Sequence, residues 1–320
     1  MKIALVLGSG AARGLAHIGV LKALEKEGIP VNLIVGCSMG AMVGGAYAAG
    51  LNSQQIEEIA CETNWKRVVQ LLFPKRFSRS GLLDGQRVEE FLLSLLGEEA
   101  IENLPRKFAC VATDIRDGEE IILNSGSLVN AIRASISFPF LFQPVKLNGN
   151  YLVDGGVVNP VPVSVAREMK ADLIIAVNVT PSVKHRARTI NSGQLRTQQK
   201  LVAASSASSF LQRLFGNFMD RLPSTNPLPS KKQPDFKMSI QQQMAHVAMT
   251  MENMILTLRL QETPPDLLIT PAVSSYQFFD FYKAREIISV GRQAMEAEMK
   301  QLEKLLKMAE NGGMIGSATP

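Results

Sequence analysis

The residue best placed to do chemistry is the serine in Gly36-Cys37-Ser38-Met39-Gly40. A serine hydroxyl becomes a nucleophile when a base takes its proton and backbone N–H groups receive the charge that its attack creates. A G-x-S-x-G string serves both needs when it forms a sharp strand-to-helix turn. The glycines let the chain double back, and the hydroxyl is pushed out beside a helix N-terminus. The β-branched run Val31–Val35 precedes the string and the small-residue run Ala41–Gly50 follows it, which is that context. A tight turn with a helix-capping serine satisfies the same string. The second requirement is a base. His17 sits one helical turn past a glycine loop and reads as a packed helix residue, while His185 and His246 fall in basic and C-terminal regions. Asp154 is the best partner, because it ends the short strand-like run Tyr151–Val153 and is followed by Gly155-Gly156. Those glycines allow a close approach to another backbone, although Asp-Gly-Gly also suits a hairpin turn. A Ser–Asp dyad works if the carboxylate is within hydrogen-bond reach and a partly dry pocket raises its pKa.

The elements that must position these groups start with Lys2–Leu7, a short continuous apolar run that predicts a buried parallel strand. It enters Gly8-Ser9-Gly10-Ala11-Ala12-Arg13-Gly14, followed by a helix over Leu15–Glu27 with Leu15, Ile18, Leu21 and Leu24 at helical spacing. One use of such a loop is dinucleotide binding, which wants an acid at the end of the second strand; Val35-Gly36-Cys37 offers none. Another is an oxyanion hole. Neighbouring parallel strands present their C-terminal ends side by side, which brings this loop next to Ser38. A glycine turn that merely packs its helix closely is the remaining reading.

Further helices are expected over Gln54–Cys61, Trp65–Leu72, Val88–Leu96, Asn130–Ser135, Val161–Met169, Gln241–Leu260 and Tyr282–Met308. Strands are expected over Phe108–Thr113, Glu120–Leu123 and Asp172–Val179, and Phe140–Val145 reads as an apolar loop that walls a pocket. The alternation predicts an α/β fold with a mainly parallel central sheet. Three scattered cysteines, Cys37, Cys61 and Cys110, argue against a disulfide framework and show no metal-ligand spacing. No apolar run approaches the roughly 20 residues that span a bilayer. A cytoplasmic protein is therefore expected.

Net charge is +5, but between Lys184 and Lys237 ten Lys/Arg stand against only Asp220 and Asp235. This Ser/Gln/Pro-rich stretch carries Phe210, Leu211, Leu214, Phe215, Phe218, Met219 and Leu222 on one helical face. Residues 205–235 thus offer a peripheral contact with the inner face of a membrane, a lid, or an ordinary helix packed on the domain or a second subunit. Nucleic acid is not expected, since no stacking aromatics interleave with the basic residues. The chain divides into a core over 1–183, a basic insertion over 184–237, C-terminal helices and a last strand over 238–310, and a disordered tail over 311–320.

Together these pieces resemble the patatin-like phospholipase family, in particular its bacterial members and the neuropathy-target-esterase type of catalytic domain. Gly8–Gly14 with Arg13, the Ser38 elbow with Gly36 and Gly40, and Asp154-Gly155-Gly156 match in order. Ala134–Pro139 with Pro144 is similar to the family's loop before the catalytic aspartate. The resemblance covers residues 2–180 and resumes at Pro265–Pro271 with the helix after it. It implies a three-layer α/β/α fold, a Ser38 nucleophile, an Asp154 base and no catalytic histidine; no metal cluster is read in the sequence and no cofactor is expected. It implies the backbone N–H groups of Ser9, Gly10 and Ala11 as the oxyanion hole, with Ser9 and Ala11 departing from a glycine-richer pattern. The implied activity is hydrolysis of lipid or lysophospholipid acyl esters. Acyl transfer at the same serine, or a non-enzymatic adaptor role on the same fold, are the alternatives.

Overall fold

Apolar, β-branched runs form the strands. In chain order these are β1 (Ile3–Leu7), β2 (Leu33–Cys37), β3 (Lys107–Asp114), β4 (Glu120–Leu123), β5 (Val145–Leu147), β6 (Asn150–Asp154), β7 (Leu173–Val177) and β8 (Leu267–Ile269). They form one sheet in the order β5-β6-β3-β2-β1-β7-β8, with β4 also paired to β3. The pairings β3–β2–β1–β7–β8 are parallel, and every residue of β1, β2 and β7 is buried. Continuous apolar runs are what strands covered on both faces require. At the β3 edge the sheet turns antiparallel through β4, β6 and β5.

The computed structural model describes residues 1–62, 83–180 and 240–310. Two compact units divide the chain, Met1–Pro181 with Ala248–Pro320, and Ser182–Val247. Of the second unit only residues 240–247, the first turns of a helix, are described. The expected Trp65–Leu72 helix, the expected amphipathic stretch over 205–235 and the expected 311–320 tail lie outside the described residues.

The helices are α1 (Ala16–Lys26), α2 (Met39–Ala48), α3 (Ser53–Glu62), α4 (Gln86–Leu96), α5 (Leu128–Ser135), α6 (Val163–Glu168), α7 (Ile240–Glu262) and α8 (Ala284–Glu310). Strand side chains alternate between two apolar clusters, as the pleat dictates. Leu5, Leu7, Ile34, Phe108 and Cys110 pack with residues of α1, α2, α4, α5 and α8. Ala4, Val6, Val35, Cys37 and Val111 pack with Val163, Val165 and Leu256 of α6 and α7. The result is three layers, α/β/α. α1 meets α8 so closely that a Cβ on Gly19 would overlap the Ile288 carbonyl, and one on Gly291 the Ala16 carbonyl. All three cysteines are free. No helix among the described residues is long and apolar enough to cross a membrane.

The β5–β6 hairpin is absent from the reading of the sequence. Its signal is Asn148-Gly149: φ is 50° at the first and 84° at the second, and Leu147 pairs with Asn150 across them. Two consecutive positive φ values make the two-residue hairpin turn for which Asn-Gly is preferred. With β5 only three residues long, the apolar pattern alone reads as loop.

Candidate active site

β2 ends at Cys37 and α2 begins at Met39, so Ser38 takes the whole reversal, at φ 55° and ψ −120°. A non-glycine residue in such a region costs about 1–3 kcal/mol and persists only where its surroundings enforce it. The flanking glycines show how they do so. A Cβ on Gly36 would come 2.5 Å from the Ala41 Cα, and one on Gly40 would overlap the Leu7 carbonyl at the end of β1. The elbow is thus pressed against the first strand and its loop. Its backbone is also tethered: the Ser38 N–H donates to Ser135 Oγ at 3.0 Å, and that hydroxyl donates to the Val111 carbonyl on β3 at 2.7 Å.

Asp154 ends β6, opposite Ala112 of β3, and is 2% exposed. Its Oδ2 accepts from Ser38 Oγ at 2.6 Å and its Oδ1 from the Gly156 N–H at 2.8 Å. The Asp154 N–H donates to the Ser137 carbonyl at 3.0 Å, and its own carbonyl accepts from Thr113 Oγ1 at 3.0 Å. A Cβ on Gly155 would overlap the Val111 carbonyl, so this glycine lets the aspartate strand close on β3. Burial pushes the carboxyl up to about pH 7 and the charge of Glu252 adds to the rise, against the hydrogen bonds from Ser38 and Gly156. At neutral pH such a group exchanges a proton easily, as a general base must.

His17 does not compete for that role. Its Nε2 lies 2.8 Å from the Gly8 carbonyl, and burial lowers its pKa to about 4. It is a neutral ring that secures the first turn of α1 beneath the loop.

The loop after β1 lies beside the elbow because Leu7 pairs with Gly36. Its N–H groups are unequal. Gly8 donates to the Val177 carbonyl at 3.1 Å, and Ser9 to the Pro160 carbonyl at 2.8 Å. The Ser9 N–H is therefore committed to the fold, which corrects its expected place among the oxyanion donors. Gly10 and Ala11 follow with N–H groups that make no backbone hydrogen bond among the described residues. Ala11 has φ 49°, a left-handed conformation imposed on a residue with a Cβ. A Cβ on Gly14 would overlap Met39, so that glycine fits the loop's helix against the elbow. Arg13 is only 5% exposed in the turn of Ala11–Leu15.

Ser38 and Ala11 open into one cavity of about 200 Å³. Its walls include Met42 and Val43 of α2, Ile59 and Ala60 of α3, Phe91 and Leu95 of α4, and Phe138, Leu141 and Phe142. Ser38 is the one polar residue among the described residues that line it. The apolar loop over Phe140–Val145 contributes Leu141 and Phe142, while Phe140 itself is exposed. Phe278, Phe279 and Phe281 complete the wall, with the Phe278 ring 5.1 Å from that of Phe138. Sequence reasoning passed over them; their signal is three aromatics within four residues just ahead of α8.

Comparison with known proteins finds relatives of the chain. The chain is 31% identical to an NTE family protein of Mycobacterium tuberculosis, over 92% of each chain. It is 30% identical to the lysophospholipase NTE1 of Debaryomyces hansenii over 98% of its own length, which is 19% of that much longer relative. A patatin-like phospholipase domain-containing protein of Caenorhabditis elegans is 36% identical over 55% of the chain and 13% of its own. The profile of the patatin-like phospholipase family matches residues 5–167, which span the glycine loop, the elbow and the aspartate. With its sheet, its serine elbow and these relatives, the chain belongs to the patatin-like phospholipase family.

Proposed function

We propose that the chain is a serine acyl hydrolase that cleaves lysophospholipid or related lipid acyl esters with a Ser38–Asp154 dyad. One observation carries the reading: Ser38 Oγ is 2.6 Å from Asp154 Oδ2, and Ser38 has the one polar side chain on the described wall of an apolar cavity. In the first half-reaction Asp154 accepts the Ser38 proton as Oγ attacks the ester carbonyl. The tetrahedral oxyanion is received by the Gly10 and Ala11 N–H groups, and the acyl chain lies in the cavity. Collapse breaks the ester C–O bond. The proton on Asp154 passes to the departing alcohol, leaving an acyl group on Ser38. Water then attacks that acyl group, Asp154 takes its proton, and collapse returns the proton to Ser38 as the fatty acid leaves.

The lysophospholipase name of the D. hansenii relative supports the substrate class. The test is fluorophosphonate labelling of native protein, together with turnover of a lysophosphatidylcholine by wild type, Ser38→Ala and Asp154→Asn. Labelling is expected at Ser38 and nowhere in Ser38→Ala, with turnover falling by at least about 10³-fold in both variants. Unlabelled Ser38 in folded protein, or full turnover by Ser38→Ala, would overturn the reading.

A further inference from the structure

We infer that Glu252, on α7, is a positioning residue for this site: it holds the oxyanion loop through Ser9 and sets a second carboxylate against Asp154. The inference rests on the proposed Ser38–Asp154 reading and adds to it a residue from beyond the family-matched stretch of residues 5–167.

Ser9 is 7% exposed and is held at three points. Its N–H is fixed to the Pro160 carbonyl at 2.8 Å, and its carbonyl accepts from Thr180 Oγ1 at 3.3 Å. Its hydroxyl donates to Glu252 Oε1 at 2.6 Å, the shortest of the three bonds. Gly10 and Ala11 are the next two residues, so the Glu252 bond acts one residue from the proposed oxyanion donors. A hydrogen bond to a carboxylate is about twice as strong as one between neutral groups. Ala11, at φ 49°, does not hold its own conformation by preference; the loop must be held for it.

The second part of the inference comes from the space over Gly156. A Cβ there would lie 2.9 Å from Ser9 Oγ, 3.1 Å from Asp154 Oδ1 and 3.1 Å from Glu252 Oε1. The two carboxylate oxygens are each that far from one point, so they are at most twice that distance apart. They meet across a glycine whose missing side chain keeps the space open. Asp154 points Oδ2 at Ser38 and Oδ1 toward this space, so Glu252 faces the side of the carboxylate that the nucleophile does not use. Two carboxylates this close do not both ionise freely, and the more buried one holds a proton more tightly. Asp154 accordingly feels Glu252 as the charge that raises its pKa beyond burial. A stronger base for Ser38 is the outcome.

The other ionisable neighbours do not substitute for it. Cys37 Sγ lies 4.0 Å from Asp154 Oδ1, but burial pushes that thiol far up and keeps it neutral. Glu120 on β4 is paired with Arg259 at 3.5 Å and bonded to Asn159 at 2.8 Å. His17 is turned to the Gly8 carbonyl, and Arg133 of α5 to Ser137 Oγ and the Asp84 carbonyl.

Two variants of the full chain separate the two roles. Glu252→Gln keeps an acceptor for Ser9 but removes the charge. Its acid limb in the pH profile of kcat/KM is expected to move to lower pH, with KM unchanged. Ser9→Ala keeps the charge but cuts the tie. It is expected to lower kcat on the order of tenfold, with the acid limb in place, because a loosened loop misplaces its donors. Circular dichroism and fluorophosphonate labelling confirm that each variant is folded with an accessible Ser38. Wild-type kcat in Ser9→Ala together with an unmoved limb in Glu252→Gln overturns the inference, while Ser38→Ala, run alongside, still reports on the underlying reading. If Ser38→Ala retains turnover, it is the dyad reading that fails.

Discussion

At the scale of single residues, Asp154 shows what the proposed dyad without histidine requires. An ordinary aspartate, with a pKa near 3.8, is too weak a base at neutral pH; burial lifts this one to about 7. That gain in basicity is a cost in stability, and the sign can be worked through. Well below pH 3.8 the carboxyl is protonated in both folded and unfolded chains, and its burial costs no ionisation penalty. Between 3.8 and about 7 the folded state keeps a proton that the unfolded state releases, so stability falls as pH rises. Above about 7 the penalty is complete, on the order of a few kcal/mol. Asp154→Asn removes it. The variant is expected to be inactive yet more stable than wild type, by a margin in urea unfolding that is larger at pH 8 than at pH 5. Wild-type kcat/KM should rise with pH through an acid limb near 7, the value at which the base becomes ionised. An equal margin at both pH values would show that the carboxyl carries no such penalty.

At the scale of elements, the C-terminal end of α5 unites the site. Ser135 holds the elbow's N–H and the β3 carbonyl at once, and two residues on the Ser137 carbonyl holds the Asp154 N–H. Arg133 braces Ser137 Oγ at 2.7 Å from one turn back. One short helix end thereby fixes Ser38 and Asp154 relative to each other. Ser135→Ala leaves the Ser38 N–H and the Val111 carbonyl without this partner, at a cost of about 1–3 kcal/mol. The expected outcome is a lower urea midpoint and a reduced kcat with KM little changed; an unaltered kcat would show that the elbow holds itself. None of this bracing is visible in the sequence, where Ala134–Pro139 reads as the end of a helix before a proline and as a stretch similar to the family's loop ahead of the aspartate, with no sign of what Ser135 and Ser137 hold. What could be read was local. Lys2–Leu7 and Val31–Val35 announce buried parallel strands, and Gly36 and Gly40 announce the elbow, because each pattern is set by neighbours in the chain. Ser9 was misjudged as an oxyanion donor because its N–H partner, Pro160, lies far along the chain. Glu252 went unnoticed because its relation to Ser9 and Asp154 exists only once α7 packs on the second face of the sheet.

At the scale of the whole domain, the fold puts polarity at one end of a cavity and apolar side chains along its described walls. The C-terminal ends of β1 and β2 deliver the loop and the elbow side by side, and α2, α3 and α4 with the Phe138 and Phe278 segments enclose the apolar wall. An acyl chain whose carbonyl reaches Ser38 has its methylenes along that wall. Each buried methylene contributes about 0.8 kcal/mol, or roughly fourfold in kcat/KM, for as long as the cavity has room. Across a series of 4-nitrophenyl esters from acetyl upward, kcat/KM is therefore expected to climb by up to that factor per methylene and then level off. Ala60, half-buried on α3 and on the cavity wall, is the position at which to move the plateau. Ala60→Trp fills part of the space with an indole while leaving Ser38, Asp154 and the loop untouched. The plateau should come at a shorter chain, with turnover of the acetyl ester unchanged because it needs only the polar end. A uniform loss for all chain lengths would mean that the substitution disturbed the elbow, and an unshifted plateau would place the acyl chain outside this cavity.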